Sequence, residues 1–243
     1  MQILHLEAGT PFKMGKGQNW RVVHPDMGAK QLTLNHGVHA PGQEFTQHFH
    51  DNSEDMIVVL EGGSSVRQGD VYTPVSAREA IFVPVGEVHG TVNDTGKMAR
   101  LISFQSPPDM ALYRGERDHA PNQIPKPKHG HQSAVQVVDM ARSGPVFGKS
   151  GDWRCVISPE RGSKHISLEY IRLSSGEGFE HERGAAEAIY VLVDGKAEVK
   201  AGRQTWNLAA KDVIFLKPEE SCSISPVIGG QLLTLLHCRA VGG

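Results

Sequence analysis

The sequence predicts an all-β protein built as two tandem β-domains, each a barrel or sandwich, and three observations predict it. Short β-branched apolar runs end in acid-glycine turns. Glycine and proline turns separate these runs at regular spacing, the pattern of a barrel or sandwich. An internal repeat then holds one register through the core of each half.

In chain order, the first half offers apolar runs at residues 56–60, 80–83 and 101–104. The second half offers residues 188–193, 213–216 and 232–236. The repeat links them. His48 matches His181, Glu54 matches Glu187, Gly62 matches Gly195, and Phe82 matches Phe215, each pair 133 residues apart. Upstream, Gly28, Lys30, Leu34 and Gly42 match Gly162, Lys164, Leu168 and Gly176. Trp20-Arg21 matches Trp153-Arg154 and reads as strand packing with an arginine tie, because the pair recurs in both copies.

Between the halves, Pro107, Pro108, Pro121, Pro125, Pro127 and Pro145 argue against a continuous strand or long helix. Residues 109–114 are expected to form one helical turn. His129 and His131 sit among Lys126, Lys128 and Gly130 and read as solvated linker. These patterns divide the chain into a first β-domain at 1–105, a connecting segment at 106–145 and a second β-domain at 146–243.

The residues that carry chemistry lie in the first half. His48 and His50 flank Phe49, and His89 follows the turn Pro84-Val85-Gly86. On a strand, side chains two apart leave the same face, about 7 Å apart at ~3.3 Å per residue. His48 and His50 can therefore converge on one ion with bonds of roughly 2.0–2.2 Å, while Phe49 turns to packing.

The block from Gly42 through His48, His50, Glu54, Asp55 and Gly62, and the block from Pro84 through Gly86 and His89 to Asn93, resemble the two signature motifs of the cupin superfamily. The resemblance spans roughly residues 20–105 and 153–240 and implies two tandem double-sheet jelly-roll barrels. It also implies a mononuclear metal held by His48, His50, His89 and one carboxylate. Asp55 stands at the family's glutamate position counted back from Gly62, and Glu54, one residue earlier, is its substitute. Arg78 stands where the second motif has an upstream glycine, and Asn93 reads as a turn or supporting residue. The copies differ at the ligands. His50 becomes Arg183, Asp55 becomes Ala188 and His89 becomes Cys222, so the second barrel is not expected to bind metal in the same way. Its His181, Arg183 and Glu187 are expected either to form an ion-paired network or to receive an anion, and Cys222 reads as an inert buried thiol.

Three imidazoles and a carboxylate suit one divalent Fe, Mn, Ni, Co or Zn ion per chain. Four protein ligands leave two octahedral positions for a bidentate oxygen ligand such as an enolate, α-hydroxyketone, dicarboxylate or diol. Val59, Phe82 and Val92, or their strand neighbours, are expected to wall the site. An acid–base role falls to whichever of Glu54 and Asp55 does not bind metal. Two-barrel proteins of this superfamily include dioxygenases, oxalate decarboxylases, and isomerases of keto acids or sugars. The reading is therefore a metal-dependent enzyme on a small oxygenated metabolite, dioxygenase ahead of isomerase or lyase. The alternative is a non-catalytic binding module, which a barrel plugged around Met14, Gly15 and Lys16 would favour.

Composition bounds the partners. The chain has 243 residues, 39% hydrophobic and 21% charged, enough for a core without staples. A formal net charge of -2 gives no electrostatic case for nucleic acid or an anionic membrane. Cys155, Cys222 and Cys238 are three and widely spaced, which argues for a reducing compartment. The opening residues carry no basic region followed by an apolar stretch, so no signal peptide is expected. No apolar run approaches the ~18 residues of a membrane helix. These readings lead to a cytoplasmic protein acting on a small molecule; a homodimer is the commonest closed assembly, and nothing in the sequence fixes it.

Overall fold

The structure, a computed structural model, describes residues 1–116 and 124–241. Pro121 of the connecting segment lies outside the described residues. The first half contributes β1 (Gln2–His5), β2 (Thr10–Phe12), β3 (Gln18–Val23), β4 (Thr33–His39), β5 (Glu44–His48) and β6 (Glu54–Glu61). It continues with β7 (Gly63–Gln68), β8 (Val71–Ser76), β9 (Glu79–Val83), β10 (His89–Val92) and β11 (Ala99–Ser106). The helical turn α1 (Met110–Tyr113) follows, as the 109–114 pattern predicts. The second half repeats the plan as β12 (Gln136–Asp139), β13 (Gly144–Pro145), β14 (Asp152–Ile157), β15 (Ile166–Leu173), β16 (Phe179–His181) and β17 (Ala188–Asp194). It ends in β18 (Lys196–Ala201), β19 (Gln204–Ala209), β20 (Asp212–Leu216), β21 (Cys222–Pro226) and β22 (Leu233–Ala240).

Each barrel pairs a seven-stranded sheet with a four-stranded one. The first has the orders β12-β9-β6-β11-β4-β3-β2 and β5-β10-β7-β8. The second has β1-β20-β17-β22-β15-β14-β13 and β16-β21-β18-β19. The two large sheets pack back to back. Met56, Val58, Phe82, Ile102 and Phe104 meet Tyr170, Ile189, Val191, Phe215 and Leu236 in one core. The alternate residues Ile57, Val59, Ile81 and Leu101 fill the first barrel, and Tyr190, Leu192, Ile214 and Leu235 the second. A strand buried on both faces reads as an unbroken apolar run, which is why residues 56–60 show no polar alternation. No helix among the described residues is long and apolar enough to cross a membrane.

The boundaries drawn from the sequence need correction, because the lead strand of each repeat crosses to the other barrel. β1 pairs with β20, Gln2 opposite Phe215. β12 pairs with β9, Gln136 opposite Phe82. Each lead strand ends in a short 3-10 turn that drops Leu6 or Met140 into the shared core. Leu6 N donates to Lys211 O and Met140 N to Arg78 O, the same contact in each half. Arg78 and Lys211 both hold positive φ, 73° and 79°, so a left-handed turn survives where the motif has glycine.

The second correction concerns Glu54 and Glu187. Glu54 faces the partner barrel, where its carboxylate accepts from Ser163 Oγ (2.8 Å), Lys164 N (2.8 Å) and His165 N (2.8 Å). Glu187 accepts from Lys30 N (2.8 Å), Gln31 N (2.7 Å) and Leu32 N (2.9 Å). The loops that donate follow Gly28 and Gly162, which end 3-10 turns at φ 93° and 99°. Glu187 therefore joins no network with His181 and Arg183; each glutamate clasps the opposite barrel.

One smaller reading also changes. Asn19 pairs with Gly37, and Trp153 pairs with Ile171, so the true counterpart of Trp153 is Asn19, not Trp20. The one-residue slip reverses the face. Trp153 lies inside its barrel, whereas Trp20 stacks on His36, whose ring bonds Leu6 O at the barrel interface. His129 and His131 are both exposed, as the linker reading expects, and His131 Nε2 in addition lies 2.9 Å from Glu87 Oε2, while Ala134 N donates to Glu87 Oε1.

Candidate metal centre

The four residues named from the motifs come together. His48 ends β5, His89 opens β10, and the two are cross-strand partners. His50 lies just beyond the end of β5, and Asp55 is the second residue of β6. All four are buried, and one ligand atom from each lies within 4.8 Å of every other. Ring centroids of His48, His50 and His89 stand 4.4–5.2 Å apart. Asp55 Oδ2 lies 3.5 Å from His89 Nε2 and 3.8 Å from His50 Nε2.

Each imidazole is oriented through its other nitrogen. His48 Nδ1 is 2.9 Å from Thr46 O, and His89 Nδ1 is 3.0 Å from Glu87 O. His50 Nδ1 is 2.8 Å from Asp109 Oδ2. These bonds place a proton on Nδ1 and turn Nε2 of each ring to the centre; His50 Nε2 also lies 3.2 Å from Gln105 Nε2. Ser103 Oγ donates to Asp55 Oδ1 at 2.5 Å, which fixes the carboxylate. His89 Nε2 is buried with no hydrogen-bond partner among the described residues. A buried nitrogen without a partner costs free energy, and a cation at this point would satisfy it. Nitrogen and oxygen donors of this kind fit a divalent transition metal.

The electrostatics agree. Burial pushes His48 well below the usual imidazole range, with His89 and His50 adding to it, so it stays neutral. Burial also opposes charge on His50, but its bonds to Asp109 and Asp55 win and raise it. For Asp55, burial pulls upward, yet His50 and His89 hold the carboxyl well below the usual range. Asp55 is therefore an anion facing imidazoles.

Glu54 is the correction here. It starts the same strand one residue earlier, so its side chain leaves on the opposite face and is consumed in the clasp. It is neither the substitute ligand nor positioned for acid–base work. The walls come from the strand neighbours Ile57 and Thr91 and not from the three residues named. Phe82 belongs to the inter-barrel core, and Val59 and Val92 do not line the cavity. The cavity, about 510 Å³ counting its open mouth, is bounded by Phe45, Ile57, Leu101 and Leu112 with Asn19, Asn35, His39 and Gln105. The 14–16 segment docks through Lys16 N on Glu44 O and does not line it. Asn93 is a turn residue, donating to His39 O and Lys97 O.

The sequence reading missed Asp109, Ser103 and His39. Ser103 was reachable, since it alternates with Leu101 on the inner face of β11. His39 is buried; its Nε2 lies 3.4 Å from Asn19 Oδ1 and its Nδ1 has no partner among the described residues. Burial lowers His39 to about 4. Burial, helped by Arg100, lowers His36 to about 4 as well. Between pH 6.5 and 4 the unfolded chain takes up protons at these two positions and the native chain does not. Stability is therefore lost as pH falls through that window. The urea midpoint should be lower at pH 5 than at pH 7.5, and His36→Gln should flatten the difference; an unchanged midpoint contradicts the assignment.

The family model described as a cupin domain matches residues 36–104, which contain all four candidate ligands. The model of the KduI/IolB family matches residues 142–226 in the second half. The chain has the bicupin architecture. Over 98% of its length, this bicupin superposes on 90% of protein YlbA from E. coli, with a TM-score of 0.76 at 10% identity. It superposes on 76% of the oxalate decarboxylase of Bacillus subtilis, whose Mn(II) centres have been studied, with a TM-score of 0.73 at 14% identity and 98% coverage. These likenesses show the shared fold. In sequence, it is 29% identical over 122 residues to the tetracenomycin polyketide synthase protein TcmJ of Streptomyces glaucescens, half of this chain and 72% of that protein.

Proposed function

We propose that this bicupin is a metal-dependent enzyme acting on a small oxygenated metabolite at His48, His50, Asp55 and His89, with dioxygenation as the reaction. The observation that supports it most directly is the buried, unpartnered His89 Nε2 facing an ionised Asp55 inside a cavity of mixed polarity. A divalent ion held there supplies Lewis acidity and, if redox-active, a path for electrons to dioxygen. The chain's own residues do the rest. Phe45, Ile57 and Leu112 exclude water and hold the substrate body. Asn35 offers its amide to the substrate's oxygens, while Asn19, whose Nδ2 donates to Met14 O and Gly17 O, holds His39 in place. His39, neutral above about pH 4 and bonded through Nε2 to Asn19, keeps the Nδ1 lone pair to accept a substrate hydroxyl proton. A cytoplasmic setting fits three unpaired thiols.

Isomerisation or lysis of keto acids or sugars is the second reading, favoured by the KduI/IolB match. That match falls on the barrel where Arg183, Ala188 and Cys222 replace three ligands. It therefore weighs less than the cupin-domain match over the site. TcmJ is a reason to include β-diketones among the first compounds tried.

The test is anaerobic Fe(II) reconstitution followed by oxygen-electrode assays with β-diketones, α-hydroxyketones and diols. Oxygen uptake that disappears in His48→Ala supports dioxygenation. Substrate turnover without oxygen uptake moves the assignment to isomerase or lyase. No turnover with Fe, Mn, Ni, Co or Zn sinks the enzyme reading.

A further inference from the structure

The second barrel opens in a cleft that the proposed reaction does not use. It occupies the position of the metal centre in the first barrel: His181 and Cys222 form the cross-strand pair that His48 and His89 form there. The cleft measures about 1140 Å³ counting its open mouth. The inner faces of the strands turn from apolar to polar as they approach it. On β22 the order is Leu235, His237, Arg239; on β15 it is Ile171, Glu169; on β17 it is Leu192, Tyr190.

The chemistry is not that of a metal ligand set. Ala188 replaces the carboxylate, and burial pushes the Cys222 thiol up to about 12, so it keeps its proton. His181 is lowered to about 4 by burial and by His237, so it is neutral. Its Nδ1 lies 2.8 Å from the Tyr190 hydroxyl. With that hydroxyl donating, His181 carries its proton on Nε2. His237 Nδ1 donates to Glu169 Oε2 at 2.8 Å. Its Nε2 is buried and has no partner among the described residues.

Flat surfaces surround these groups. Tyr190 stacks on His237 with ring centroids 4.3 Å apart. Phe179 lies 4.8 Å from Trp153 and 5.7 Å from Tyr190. At the rim, Arg183 and Arg239 are exposed and make no hydrogen bond or ion pair with the described residues, while Lys149 stands over the Trp153 ring at 5.2 Å. Of the acids there, Glu169 is engaged by His237, leaving Glu180 and Glu182 against three cations.

We propose that this cleft is a metal-independent binding site for a small aromatic carboxylate. The ring lies among Trp153, Phe179 and Tyr190, the carboxylate meets Arg183 and Arg239, and a ring hydroxyl meets His237 Nε2. Arginine forks match a carboxylate in two-point geometry, and aromatic walls favour a planar body. The site stands apart from the metal centre, so it survives even if the proposed reaction is wrong.

The test is calorimetric titration of the full chain with 4-hydroxybenzoate. The expected result is one site per chain with a dissociation constant of about 1 mM or tighter. Binding should weaken about tenfold or more in the Arg183→Ala, Arg239→Ala double variant and with 4-hydroxybenzamide as the probe. It should be unchanged in His89→Ala. Both arginines are exposed, so the double variant keeps its fold. Absence of saturation, equal binding of the amide, or dependence on His89 instead of the arginines overturns the proposal.

Discussion

Replacing Glu54 by alanine should destabilise the chain by about 3–5 kcal/mol, through loss of charge-assisted hydrogen bonds and exposure of two unsatisfied backbone donors. Lys164 N and His165 N would be left facing a void between the barrels. At this chain length the melting temperature falls about 2–4 °C per kcal/mol, so a drop on the order of 10 °C is expected. Glu54→Gln keeps one oxygen acceptor and should cost roughly half as much. Glu187→Ala should match Glu54→Ala in size, since Lys30 N, Gln31 N and Leu32 N mirror the first set. The clasp closes the same back-to-back interface from both sides, so the double variant should depart from additivity. A loss below about 1 kcal/mol would contradict the clasp. So would loss of metal from Glu54→Ala that remains folded, because that result would return Glu54 to the ligand set.

The clasp also shows where sequence reasoning stops. The glutamate pair is visible as a repeat, Glu54 with Glu187, but its partners are 109–157 residues away along the chain. No local pattern marks them. The strands themselves were legible because residues 56–60 and 188–193 are buried on both faces and must be apolar throughout. That same uniformity hides which face looks inward. Only when Ile57 and Val59 are known to fill the barrel does alternation place Asp55 inside and Glu54 outside.

Register fails for a related reason. Trp20 and Trp153 look equivalent, yet β3 and β14 are offset by one residue relative to the downstream repeat. A slip of one reverses the side chain, so an asparagine lines the first cavity where a tryptophan fills the second. The exchange of lead strands could not be read at all. β1 and β12 are short, similar in pattern and pair with equivalent edges, Phe215 and Phe82. The motif residues were the most legible part, because ligand chemistry restricts residue type and the turns at Gly62 and Gly86 restrict spacing. Asp109 was invisible, since it reaches His50 from beyond the end of β11, 59 residues away along the chain.

His89→Ala should take the purified protein from one bound divalent ion per chain toward none, measured by elemental analysis after reconstitution. His89 carries the nitrogen that no described residue satisfies, and its removal leaves two imidazoles and Asp55. A structural or catalytic divalent site loses most of its affinity when one of four donors goes. Cys222→Ala removes the residue at the same place in the second barrel and should leave the stoichiometry intact, because no ligand cluster among the described residues includes it. Asp109→Asn is the graded control. It keeps size and a hydrogen bond to His50 but removes the charge that raises that imidazole, and such supporting bonds are worth about 10–100-fold in metal affinity. The ordering His89→Ala, then Asp109→Asn, then Cys222→Ala discriminates among assignments. Equal losses in His89→Ala and Cys222→Ala would mean that the ion bridges other residues than those gathered here. Full retention in His89→Ala would leave the three imidazoles without a role in metal binding and reopen the first barrel as an organic-ligand pocket.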